Sequence, residues 1–198
     1  VEDSFCSPNT GLKYELPVLK TGFSVVFAGN VGSAQAVHVI VKAATLLVDY
    51  PEVRIVIFGS GSELDWMHQQ ITSLKLTNLY LAGRFPVEAM PFLLAKASAL
   101  LVTLADRPIF AATVPNKIQA YMAVGRPIVA SLNGEGARLV NEADAGIAVP
   151  AENHVALADA ILTLYRMTPD ERGRLGSNAR QYYRDNFDHE MLVTKLVG

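Results

Sequence analysis

Six short apolar runs, most of them followed by a stretch with helical spacing, recur from Phe23 to Val149, and they constrain the fold more than any other feature of the chain. They are Phe23 to Ala28, Arg54 to Phe58, Asn78 to Leu81, Ala99 to Val102, Pro127 to Ala130 and Gly146 to Val149. The runs are continuous in hydrophobicity and rich in Val, Ile and Leu, as expected of strands covered by helices on both faces. Between them, Val37, Ile40, Val41, Ala44, Leu47 and Val48 share one helical face, and Leu64, Met67, Ile71 and Leu74 share another. Further helices are predicted over Val87 to Ala97, Asn116 to Val124, Ala137 to Ala143 and His154 to Tyr165. Repeated strand, helix, strand units with short connections predict an α/β fold, a Rossmann-like doubly wound parallel sheet with right-handed crossovers.

From Thr168 the pattern turns polar. Thr168 suits an N-cap, Pro169 the first helical position and Glu171 the first turn. These C-terminal helices are read as an appendage, packed through Leu175, Ala179, Tyr182, Tyr183 and Phe187. No internal repeat, low-complexity tract or long linker divides the chain, so one domain accommodates its 198 residues.

Composition excludes several classes of function. With 17 basic and 19 acidic residues the net charge is −2, so no broad positive surface advertises nucleic acid or anionic membrane. Any phosphate site must be local. Cys6 is the single cysteine, which rules out an intrachain disulfide or a thiolate metal cluster and suits a reducing, cytoplasmic setting. No apolar run reaches the ~18 to 20 residues of a membrane span, and the acidic opening lacks the features of a signal peptide. His38, His68, His154 and His189 are scattered over predicted helices without ligand spacing, which argues for solvated helix faces and against a metal.

In open parallel sheets ligands gather beyond the carboxyl ends of the strands, and three glycine-bearing turns fall there. They are Gly29-Asn30-Val31-Gly32-Ser33, Gly59-Ser60-Gly61-Ser62 and Gly83-Arg84-Phe85-Pro86. Each glycine equally serves a sharp strand-to-helix turn. Gly59-Ser60-Gly61 lacks the third glycine of a dinucleotide fingerprint, with Leu64 in its place, and no P-loop motif exists. The segment Val114 to Ala130, V-P-N-K-I-Q-A-Y-M-A-V-G-R-P-I-V-A, joins a loop, a cation, a helix and a strand. Pro115 and Asn116 suit the helix start, and Gly125 then Pro127 end it. Lys117 falls in the first turn, where a cation is electrostatically misplaced unless an anion sits there. Backbone N–H groups and an ammonium at a helix start make a seat for a pyrophosphate. Asp106 and Arg107 lie in the loop before Pro115, where they either face a ligand or solvate an exposed turn, the turn being the preferred reading, and Glu135 is read as either a sugar-hydroxyl acceptor or a helix N-terminal acid.

The order of these parts resembles a known family. Strand, Gly29-Asn30, helix, I-V-I-F-G-S-G, L-Y-L-A-G-R-F, A-S-A-L-L-V, then P-N-K-I-Q-A-Y-M-A-V-G-R-P-I-V-A and A-G-I-A-V-P-A is similar to the C-terminal half of retaining GT-B glycosyltransferases of group 1, family four. P-N-K resembles the P-S-K variant of the bacterial branch that builds O-antigen and capsule. The resemblance implies a domain over residues 23–198 that binds a nucleotide-sugar donor such as a UDP-sugar. It further implies a lead-in over residues 1–22 that connects to an N-terminal acceptor-binding half absent from this chain. The isolated domain is then expected to bind donor without turnover. It needs no metal or cofactor, and any membrane association runs through the missing half or a lipid-linked acceptor. In the family, an arginine and a lysine in the first glycine loop grip the diphosphate; Asn30 and Gln35 stand there. Two glutamates of the family fall on Ala112 and Ala120. Lys117 is thereby left as the catalytic cation, stabilising the leaving diphosphate together with the amides of Asn116 to Ile118 after Pro115. Gly29, Asn30, Gly32 and Gln35 are expected to position phosphates, with Gly59 and Gly61 in the second glycine turn also counted as donor-binding. Arg84 and Phe85 are expected to frame the base, and Glu135 the sugar. A second reading of the same residues is a noncatalytic nucleotide-sugar-binding or scaffold module.

Overall fold

A computed structural model describes residues 14–187; the beginning of the lead-in (residues 1–13), Cys6 and His189 lie outside them. Six strands form one sheet in the order β3-β2-β1-β4-β5-β6, every neighbouring pair parallel. They are β1 (Phe23–Asn30), β2 (Val53–Ser60), β3 (Leu79–Gly83), β4 (Ala99–Thr103), β5 (Ile128–Ser131) and β6 (Gly146–Val149). The helices are α1 (Val37–Leu46), α2 (Leu64–Ser73), α3 (Met90–Ala95), α4 (Pro108–Ala111), α5 (Asn116–Val124), α6 (Glu135–Glu142), α7 (His154–Arg166) and α8 (Pro169–Asn186). The chain is a Rossmann-like, doubly wound α/β domain.

Two apolar cores, one on each sheet face, explain the unbroken hydrophobicity of the strands. Val25, Phe27, Ile55, Ile57, Leu101 and Val129 meet α1, α2 and α7 on one side. Their neighbours Val26, Ala28, Val56, Phe58, Leu100, Val102, Ile128 and Ala130 meet α3, α5 and α6 on the other. Successive side chains of a strand point to opposite faces, so a strand between two helical layers must be apolar at every position.

Local chemistry moves several boundaries. Pro127 cannot donate to the ladder, so β5 begins at Ile128, and the Pro127 carbonyl accepts from Leu100 N–H at 2.8 Å. Asn78, expected as strand, turns its Nδ2 to the Ala44 carbonyl at the end of α1 (2.9 Å). Val87 opens a 3₁₀ turn that leads into α3, and α4 is too short for periodicity to reveal. The expected appendage is in fact part of the core. α8 starts with a Thr168–Glu171 capping box, adds Leu175 to the α7 side, then buries Ala179 and Tyr183 on the α5 side. Gly176 lets it cross the end of α5, because a Cβ there would overlap the Gly125 carbonyl. Gly125 itself takes a left-handed C-terminal position, with its N–H bonded to the Tyr121 and Met122 carbonyls.

Candidate functional site

Strand order reverses between β1 and β4, the place where open α/β sheets form a ligand crevice. Pairing of β1 with β4 ends at Phe27–Leu101, while pairing with β2 continues to Asn30–Ser60. Ala28 thus loses its partner on the β4 side, and its N–H donates instead to the Tyr121 hydroxyl at 2.9 Å. Tyr121 is buried, which pushes its phenol well above the ordinary range; the contact with Ala28 acts weakly the other way. It remains a neutral acceptor that anchors α5 to the end of β1.

Lys117 lies one turn earlier on the same face of α5 and uses that anchor. Its chain crosses the tip of β1: a Cβ on Gly29 (φ +132°) would stand 3.2 Å from both Cε and Nζ. Nζ ends 3.7 Å from the centre of the Phe27 ring, which belongs to the opposite core. The side chain therefore passes from one face of the sheet to the other through the switch point. Among the described residues it makes no ion pair and no hydrogen bond. Burial without a counter-charge pulls the ammonium down from 10.5 to about 7. The ammonium is thus a half-buried cation at the rim of a crevice with a ring face against it.

The helix start supplies fewer donors than expected. The Ile118 N–H is already bonded to the Pro115 carbonyl (2.9 Å) and Ile118 is fully buried, so Ile118 drops out as a ligand donor. The N–H groups of Asn116 and Lys117 have no backbone acceptor among the described residues, as the first groups of a helix do not. Pro115 shapes the entry turn and packs against Gly136.

Beside Lys117 opens a cavity of about 570 Å³. Gly29, Gly59, Asn116 and Lys117 border one part of it; Phe58, Phe85, Met90 and Leu94 make an apolar wall, with Arg84 exposed at the rim. Phe85 stands edge-on to Phe58 (5.1 Å between ring centres) and to Tyr14 (5.9 Å), so the wall is braced from the lead-in. Gly59 (φ +146°) has no alternative, since a Cβ would overlap the Gly29 carbonyl oxygen. No Asp or Glu lines the cavity; Gln119 and Ala120 do. Gln119, Tyr121 and Phe58 were not singled out from sequence, although Tyr121 sits one turn after Lys117.

Other expected residues lie apart from this cavity. Asn30 Nδ2 donates to Gln35 Oε1 (3.4 Å) across Gly32, where a Cβ would crowd both amides. These three form a neighbouring polar lip and do not line it. Gly61 is explained by packing, because a Cβ would strike the Val31 backbone. Glu135 is engaged by Arg138 at 2.7 Å on the exposed surface of α6, so it corresponds to a helix N-terminal acid and does not reach the cavity. Asp106 and Arg107 are exposed in the loop after β4, as a solvated turn requires, and His38 is a partly exposed side chain of α1 whose Nε2 lies 3.3 Å from Glu152 Oε1; all three also border a second cavity. No group of three His, Cys, Asp or Glu among the described residues is placed to hold a metal.

A parallel sheet covered by helices on both faces, with a cavity at its switch point, defines the class as a Rossmann-like α/β domain. The family described as glycosyl transferases group 1 matches residues 22–167, and the chain belongs to it. A search of curated sequences finds no matching protein. Among solved structures, a mutant of S. aureus TarM, in complex with fondaparinux, α-GlcNAc-glycerol and UDP, superposes with a TM-score of 0.77 at 20% identity, covering 96% of this chain and 37% of that one. Anabaena Alr3699/HepE, in complex with UDP and glucose, gives 0.74 at 22% identity, covering 91% and 49%. The C-terminal domain of a Francisella tularensis group 1 family protein, LpcC, gives 0.74 at 14% identity, covering 96% and 99%. The chain thus spans less than half of TarM and of HepE, and has the fold of the C-terminal half of a GT-B glycosyltransferase.

Proposed function

We propose that this domain binds the diphosphate of a nucleotide-sugar donor at the start of α5 and presents the sugar for retaining transfer to a bacterial surface-glycan precursor. The observation that carries the reading is the uncompensated Lys117 ammonium lying over Gly29 at the switch point. Cleavage of a sugar–phosphate bond develops charge on the departing nucleoside diphosphate, which a preorganised cation and free N–H groups stabilise. Lys117 Nζ and the Asn116 and Lys117 amides take that role. Asn30 and Gln35 offer neutral donors to the phosphates, and Phe58, Phe85 and Arg84 frame the base. TarM and HepE, with the same fold, were solved with UDP, which supports a uridine nucleotide. In the whole protein, an acceptor-binding half completes a hexosyltransferase working at the cytoplasmic side of the membrane, without a metal.

A second reading, a noncatalytic nucleotide-sugar-binding module, is favoured by the cavity's lack of any carboxylate. Calorimetric titration with UDP, GDP and UDP-sugars tests binding, and release of UDP from UDP-sugar by the full-length protein separates the two readings. Lys117→Ala in an active full-length enzyme is expected to lower turnover about a hundredfold. Unchanged turnover would remove Lys117 from the mechanism.

A further inference from the structure

A second cavity, of about 430 Å³, opens on the same loop-bearing rim but on the α1–α2 side of the sheet. Residues from four separate connections meet there: Ser33 and His38 after β1, Glu63 and Trp66 after β2, Asp106 and Arg107 after β4, and Glu152 after β6. Two of its carboxylates are held in place. Glu152 receives the Asp106 N–H on Oε2 (3.1 Å) and faces His38 Nε2 with Oε1 (3.3 Å). Asn133 Nδ2 donates to Asp106 Oδ1 (2.9 Å), and its own Oδ1 accepts from Ala151 N–H (3.0 Å). Glu152 is held at φ +58°, a conformation a side-chain-bearing residue rarely adopts, and strain of this kind collects at ligand sites. The carboxylate of Glu63 makes no ion pair or hydrogen bond among the described residues.

The lining is therefore an indole, several fixed carboxylate oxygens and three side chains able to donate (Ser33, His38 and Arg107), open to solvent and without a metal-binding arrangement among the described residues. A pyranose ring carries an apolar C–H face and a rim of hydroxyls, each both donor and acceptor. It matches such a lining, with its C–H face on the indole and its hydroxyls donating to carboxylates. Phosphate is disfavoured by the three acids, and an apolar ligand by their desolvation.

We propose that this cavity is a carbohydrate subsite, in which Trp66 stacks a pyranose ring and Glu63, Asp106 and Glu152 accept its hydroxyls. The proposal rests on the donor-binding reading of the neighbouring cavity. Lys117 lines the first cavity, while its Nζ lies over the ring of Phe27, a residue of the core on the α1–α2 side where the second cavity opens. The bound ring belongs either to the acceptor glycan or to the sugar of the donor.

Trp66 is the only tryptophan in the chain, so its emission reports this cavity directly. The 198-residue chain is titrated separately with UDP, with UDP-glucose and UDP-N-acetylglucosamine, and with methyl glycosides of glucose, galactose, mannose, N-acetylglucosamine and rhamnose. Saturation-transfer NMR runs in parallel. At least one glycoside or UDP-sugar is expected to change the emission and receive saturation, while UDP alone does not change it. A response to a free glycoside with UDP present assigns the ring to the acceptor, and a response to a UDP-sugar alone assigns it to the donor. Glu63→Gln and, independently, Asp106→Asn are expected to weaken the sugar response at least fivefold and to leave calorimetric UDP binding within twofold. No response to any sugar, or a response unchanged in both variants, overturns the subsite. Absence of UDP heat instead overturns the donor reading, so the two failures are distinct.

Discussion

Replacing Lys117 by methionine removes a charge the fold carries at a cost, and this should stabilise the unliganded protein. In the fold the ammonium is drawn from 10.5 to about 7 by burial. At pH 7 that displacement corresponds to about 4 kcal/mol. The contact with Phe27 is worth about 1–2 kcal/mol, and residual exposure screens part of the rest, so Lys117→Met should gain about 1–3 kcal/mol in free energy of unfolding. A base whose folded value lies below its unfolded one penalises folding fully at and below about pH 7. The penalty fades as pH rises toward 10.5, because only the unfolded chain still binds the proton in that window. The advantage of the variant should therefore be largest at pH 7 and small by pH 10. Urea unfolding followed by Trp66 emission at the two pH values measures it. A variant no more stable than wild type at pH 7, or an advantage that does not shrink with pH, would refute the claim that the cation sits there without a partner.

The remaining expectations follow from the same geometry. UDP should raise the affinity of Lys117 for its proton, so binding at pH 8 takes up close to one proton; calorimetry in buffers of different ionisation enthalpy measures it, and no uptake would place the ammonium away from the diphosphate. Tyr121→Phe leaves the Ala28 N–H buried without an acceptor, costs about 1–3 kcal/mol in urea unfolding and weakens UDP binding by letting α5 shift from β1. Gly59→Ala forces a Cβ onto the Gly29 carbonyl and should leave the chain unable to form the β1–β2 end, seen as loss of a cooperative thermal transition. Thr168→Ala removes one half of the α8 capping box and should cost about 1 kcal/mol, measured by the same unfolding assay.

The sheet was legible in the sequence because two-sided burial writes continuous apolar runs, and all six runs became strands with boundaries moved by a few residues. α4 was not legible: four residues are too few for a helical period to show. That Lys117 stands in the first turn of α5 was legible, because Pro115 and Asn116 mark the helix start. Its path was not, since the route over Gly29 to Phe27 depends on where β1 and β4 part. Glu135, Ile118 and Gly61 share one physical reason for standing outside the site. Each already has a local role, in an ion pair with Arg138, a turn bond to Pro115 and a close backbone contact with Val31 respectively. Spacing along a chain does not reveal that a group is already satisfied. The second cavity was invisible for the opposite reason, as its residues come from loops and helix starts after four different strands.

Calorimetric titration of the chain at pH 7 with UDP, then with UMP, tests the anion seat most directly. Diphosphate is expected to bind at least tenfold more tightly than monophosphate in wild type, and Lys117→Gln to abolish that difference. Equal affinity for the two nucleotides, or a diphosphate preference retained in the variant, would contradict a diphosphate site built on Lys117.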